Sequence, residues 1–107
     1  MELVQYAIVL VNLDPTIGSE IKKTRPCVII SPNEMNKYLK TLVICPMTSN
    51  LKDYPTRILV HQNNQDGMIV IDQIRTIDKS RIIKNIGKLS AAEIKKCKKV
   101  IMETFVS

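Results

Sequence analysis

Three groups of polar side chains stand where apolar runs of this 107-residue chain begin or end: Ser19, Glu20 and Arg25; Thr48 and Ser49; and Asp72, Gln73 and Arg75. Positions of this kind can converge on one rim of a small barrel. Arg25 lies between Thr24 and Pro26 at the head of an apolar run. The proline restrains the backbone before it, so the guanidinium can be held at a fixed point. Its forked donors match two oxygens of a phosphate. An ion pair from Arg25 to Glu20 would use the same residues, and the spacing leaves both readings open. With one histidine, His61, and no G-x-S-x-G, H-E-x-x-H or Walker loop, serine-hydrolase, zincin, NTPase and two-histidine ribonuclease mechanisms lack essential parts. An RNA substrate would bring its own nucleophile, the 2′-hydroxyl, and require only proton transfer and charge stabilisation at phosphorus. Arg25 and Thr48 suit that chemistry without a metal.

Metal chemistry has little to work with. Cys27, Cys45 and Cys97 are far apart, each lies among valines and isoleucines, and His61 stands beside none of them. They read as small buried hydrophobes rather than zinc ligands. No cofactor motif is present. The 16 Lys and Arg against 10 Asp and Glu give a net charge of +6. Such an excess on a small chain suits a polyanion, either nucleic acid or an acidic protein segment, and it equally fits a surface that is simply basic and has no partner.

The elements that must position these groups follow from the apolar runs. Tyr6 to Leu13 is rich in β-branched residues and stops at Asp14-Pro15, where proline removes a ladder donor. A loop from Asp14 to Arg25 follows, at about a dozen residues longer than most connections in compact domains. Pro26 to Ser31 and Leu42 to Met47 are continuously apolar strands, with a turn or a single helical turn over Pro32 to Asn36 between them. Thr56 to His61, a turn at Asn63 to Gly67 and a long strand from Met68 to Ile77 complete the β region. Closely spaced strands without long helices between them predict an antiparallel sheet curled into a small barrel. Ser90 to Glu93 fits a capping box. Ile94, Cys97, Ile101 and Phe105 then share one helical face, with Lys95, Lys96 and Lys99 opposite. The length predicts a single domain. No apolar run is long enough to span a membrane, and Met1 to Tyr6 lack the basic start of a secretory signal. A cytoplasmic protein with no membrane partner is expected.

Taken in order, "LVNLDPTIGSEIKKTRPCVIIS", "LVICPMTSN" and "IDQIRTIDKSRIIKNIGKLS" resemble the MazF/PemK (Kid) family of toxin endoribonucleases from type II toxin–antitoxin modules. The likeness covers nearly the whole chain. It implies a mainly β, α+β fold: an SH3-like or CcdB-like antiparallel barrel with a short helix and a C-terminal amphipathic helix. It also implies a homodimer whose groove takes single-stranded RNA. Cleavage would need no metal and would leave a 2′,3′-cyclic phosphate and a 5′-hydroxyl, stopping translation. Carried over, Arg25 and Thr48 become the catalytic pair. Ser19, Glu20, Lys22, Lys23, Ser49 and Gln73 become RNA-binding residues, and an acidic antitoxin becomes the partner that occupies the same groove. Base choice would rest on groove loops near Lys52 to Tyr54 and Gln62 to Asp66. Where the family commonly has Gly-Asp before the first strand, this chain has Gln5 and Tyr6. A non-enzymatic, gyrase-binding toxin on the same architecture is the alternative, weakened because such toxins use a terminal tryptophan and this chain has none.

Overall fold

A computed structural model describes residues 2–13 and 24–106. Strands β1 (Ala7–Asn12), β2 (Thr24–Ile29) and β3 (Thr41–Thr48) form from β-branched and apolar runs, whose side chains alternate across the sheet. Both faces are covered. Ile8, Val28, Cys45 and Met47 enter one core with Ile58, Val60, Ile69 and Ile71. Val9, Val11, Cys27, Ile29, Leu42 and Ile44 enter a second with Ile77. This division is why the strands are continuously apolar instead of alternating with polar residues.

The remaining elements are α1 (Asn33–Tyr38), β4 (Arg57–Gln62), β5 (Gln65–Val70), β6 (Arg75–Asp78), β7 (Ile82–Lys88) and α2 (Ala91–Phe105), with 3₁₀ turns at Ile71–Gln73 and Lys79–Arg81. Among the described residues, the antiparallel order is β4-β5-β3-β2-β1-β7, with β6 also on β3. The mainly β fold expected from the sequence, a curled antiparallel half-barrel with a short helix and a C-terminal helix, is therefore what forms. The expected single strand from Met68 to Ile77 is not. It is broken because β3 serves two partners along its length. Met68 and Ile69 pair with its Thr48 and Met47 end, and Arg75 to Asp78 pair with Ile44 to Thr41. The 3₁₀ turn carries the chain between the two pairings, and this sharing curls the sheet.

Strand β7 lines up with β1 through two register shifts, which scramble any period of two in its sequence. Helix α2 starts at the expected capping box: the Ser90 hydroxyl accepts from the Glu93 N–H at 3.1 Å, and the Glu93 carboxylate accepts from the Ser90 N–H at 2.8 Å. Ile94, Cys97 and Ile101 pack on the first core as expected. Phe105 does not. It is 51% exposed and lies outside the core that Ile94, Cys97 and Ile101 join. Tyr6 introduces β1 with φ at +69°, a conformation that glycine adopts freely and tyrosine at a cost of about 1 kcal/mol. The turn is held on both sides, by Tyr6 N–H donating to Ile29 O at 2.7 Å and Leu89 N–H donating to Tyr6 O at 3.1 Å.

Candidate active site

Arg25 and Thr48 flank the end of the β2–β3 ladder, where Cys27, two residues after Arg25, pairs with Pro46, two residues before Thr48, and both residues line the same two cavities. Both side chains are partly exposed at the sheet's rim. The Thr48 hydroxyl oxygen accepts from the Asn50 N–H at 3.2 Å, which fixes the oxygen and leaves the hydroxyl proton to donate elsewhere.

Two open cavities meet at this pair. The first, of about 460 Å³, is bounded by Arg25, Thr48 and Ser49 on one side and by the β4–β5 hairpin on the other, with Ile8, Met47, Val60 and Ile86 along its floor. The hairpin contributes Gln62, Asn63, Gln65, Asp66 and Gly67. Its two-residue turn has Asn63 at φ +51° and Asn64 at +62°, the left-handed pair that suits the twist of a tight hairpin. Asp66 is the one carboxylate among the described lining residues, and it is held at 2.7 Å by His61 Nδ1. The turn end of the hairpin is tied to α2: Glu93 accepts from His61 N–H at 2.9 Å and from Gln62 Nε2 at 3.4 Å. Partial burial by itself would raise the Glu93 carboxyl, but these donors and those of Ser90 outweigh it and hold the group below the usual carboxylate range.

The second cavity, of about 400 Å³, shares Arg25, Met47 and Thr48 with the first and extends along Asn50, Arg57, Gln73 and Arg75. Three arginines therefore line one space, and no carboxylate occurs among its described lining residues. The nearby Asp72 instead accepts from the Thr56 hydroxyl at 2.8 Å. Close enough to Arg75 and Arg25 to feel their charge lies the buried Cys27 thiol. Burial pushes it up to about 12, and the opposing pull of Arg75 and Arg25 does not overcome that burial. Burial likewise takes Cys45 to about 12 and Cys97 to about 11. All three are buried free thiols, as expected from their apolar neighbours.

Of the residues singled out from sequence, Arg25 and Thr48 come together, Ser49 faces the first cavity and Gln73 the second. Ser19, Glu20, Lys22 and Lys23, and with them the Arg25–Glu20 ion pair, lie outside the described residues. Of the positions Gln62 to Asp66, all but Asn64 line a cavity, whereas Lys52 to Tyr54 line neither. Sequence reasoning missed Arg57. It lies in β4, next to a proline-tyrosine pair whose significance appears only once Tyr54 folds against it. A guanidinium fork beside an oriented hydroxyl, at the junction of an amide-lined cavity and an arginine-lined one, is suited to holding a phosphodiester while its flanking groups lie on either side.

Curled sheet, closing helix and cation-rich rim define a half-barrel of the toxin type. Residues 4–105 match the family of PemK-like, MazF-like toxins of type II toxin–antitoxin systems, and the chain belongs to that family. It is 32% identical over 100 residues to the endoribonuclease MazF of Staphylococcus saprophyticus, an alignment covering 88% of this chain and 83% of that protein. Its fold superposes on the MazE–MazF crystal structure (form II) from Deinococcus radiodurans with a TM-score of 0.86 at 22% identity, over 100% of this chain and 99% of that one. An endoribonuclease in complex with its cognate antitoxin, from a mycobacterial species, matches with a TM-score of 0.79 at 18% identity, over 94% and 92% of the two chains.

Proposed function

We propose that this chain, an endoribonuclease of the toxin family to which it belongs, cleaves single-stranded RNA at the Arg25–Thr48 junction without a metal. The RNA 2′-oxygen attacks the adjacent phosphorus, the P–O5′ bond breaks, and the products are a 2′,3′-cyclic phosphate and a 5′-hydroxyl. The 2′-hydroxyl gives up its proton and the departing 5′-oxygen gains one. Arg25 binds two non-bridging oxygens and neutralises the charge that builds on the phosphorane. Because a guanidinium stays protonated in proteins, charge stabilisation is its part rather than proton abstraction. A preorganised donor of this kind contributes on the order of 3–4 kcal/mol. Thr48 donates its free hydroxyl proton to the same phosphate.

The observation that carries this reading is the adjacency of Arg25 and Thr48 at the rim shared by two cavities. Ser49 and Gln73, on the two sides of that rim, contact RNA. Ser19, Glu20, Lys22 and Lys23 extend the groove on the strength of the family resemblance. An acidic antitoxin segment competes for the same cationic surface, in keeping with relatives solved with their antitoxins and with the net charge of +6. The working form is a cytoplasmic homodimer. Among the described residues no helix is long and apolar enough to cross a membrane.

The test is incubation of purified protein with a long RNA in EDTA, followed by analysis of the new ends. Discrete cuts bearing cyclic phosphates, lost in Arg25→Ala, are expected. Intact RNA, or cuts that require added metal, would refute the mechanism.

A further inference from the structure

The second cavity contains a group that cleavage at the Arg25–Thr48 junction does not use. Arg57 stacks on Tyr54, with the guanidinium carbon 5.0 Å from the ring centroid. Its Nε is buried and makes no hydrogen bond. A stacked guanidinium is held in one plane, and a buried N–H without an acceptor is unfavourable, so native proteins rarely leave one unmatched. The cavity that Arg57 lines is also lined by Arg25, Arg75, Gln73 and Asn50. Those groups are donors or amides. The one ion pair among the described residues joins His61 to Asp66, at the turn end of the hairpin, so none of these arginines is neutralised by a described carboxylate.

We propose that the second cavity is a subsite for a non-scissile phosphate of the RNA backbone, and that Arg57 is the residue that grips it. This rests on the reading of the chain as an RNA-cleaving enzyme. Because the cavity shares Arg25 and Thr48 with the first, a strand whose scissile phosphate lies at that junction carries a neighbouring phosphate past it toward Arg57. A phosphate there accepts from the forked N–H groups of Arg57, whose plane Tyr54 fixes. A phosphate contact carries no base information, so Arg57 sets affinity and register rather than sequence preference.

The experiment uses short RNAs carrying a 2′-deoxy sugar at the cut nucleotide, so that they bind without being cleaved, with affinity read by fluorescence anisotropy across a salt series. Arg57→Ala is expected to weaken binding about tenfold and to reduce the slope of log K against log salt by about 0.7. Arg57→Lys keeps the charge and hence the slope, but recovers only part of the affinity. A neutral methylphosphonate at one linkage adjoining the cut should weaken wild-type binding by a similar factor and make wild type and Arg57→Ala equal. That scan needs only wild-type protein, so it decides the matter even if the alanine variant fails to fold. The proposal is overturned if no adjoining linkage matters, or if Arg57→Ala weakens an acidic peptide while leaving RNA binding unchanged. Wild-type protein that neither binds nor cuts RNA overturns the parent reading too, whereas RNA binding and cutting that ignore Arg57 overturn this one alone.

Discussion

The two cavities that meet at Arg25 and Thr48 have opposite characters. One has an apolar floor of Ile8, Met47, Val60 and Ile86, overhung by amide side chains of a tight hairpin; the other is lined by three arginines. Amides present both donors and acceptors and can tell one base edge from another. Guanidinium groups present donors alone, and suit the uniform charge of a backbone. On the proposed reading, the contrast would house discrimination and affinity on separate sides of the Arg25–Thr48 junction.

The largest effect should come from the junction itself. Arg25→Lys is expected to reduce the single-turnover cleavage rate by 10² to 10³, nearly as much as Arg25→Ala, because a point charge cannot replace a fork. A lysine variant near wild-type rate would show that charge alone suffices and would dissolve the distinction between the pair and its surroundings. Next, Arg75→Gln and Gln62→Ala should diverge. The arginine variant should bind all RNA sequences about tenfold more weakly, with a shallower salt dependence. The Gln62 variant should change which sequences are cut in a mixed pool while its salt dependence stays the same. If both variants change sequence preference alike, the separation of roles is wrong.

Two smaller effects concern the frame behind the cavities. The donors on Glu93 hold its folded-state carboxyl below the ordinary value of 4.5. Their contribution to stability is therefore complete above about that pH and is lost as the pH falls through the lowered native value. Chemical denaturation of wild type and Glu93→Gln should differ at pH 7 and converge in acid; a gap that stays constant would remove the carboxylate from this role. The buried thiols of Cys27 and Cys45, at about 12, and Cys97, at about 11, remain protonated at pH 8. Native protein should resist iodoacetamide there, with labelling seen by mass spectrometry only after denaturation.

Most of the sheet was legible in the sequence. The strands around Val9, Val28, Ile44 and Val60 were visible as apolar runs bounded by proline, asparagine and charge, and the capping box at Ser90 marked the start of α2. The division of those runs into two cores was not, because burial on both faces removes the alternation that would distinguish them. The break at Ile71–Gln73 was hidden for a related reason: Met68 to Ile77 is apolar enough to be one strand, and only the competition of β5 and β6 for β3 divides it. β7 was lost to its register shifts against β1. At the candidate site, Arg25 and Thr48 could be singled out because each borders an apolar run. Arg57 could not, since its stacking on Tyr54 and its meeting with Arg25 and Arg75 depend on how β4 lies against the 3₁₀ turn.

The central claim is that Arg25 and Thr48 act together on one phosphate, and a double-mutant cycle tests it most directly. Single-turnover cleavage by wild type, Arg25→Ala, Thr48→Ala and the double variant should show strong non-additivity, with the double variant little slower than Arg25→Ala alone. Losses that multiply in full would mean that the two residues work independently, and would contradict the account.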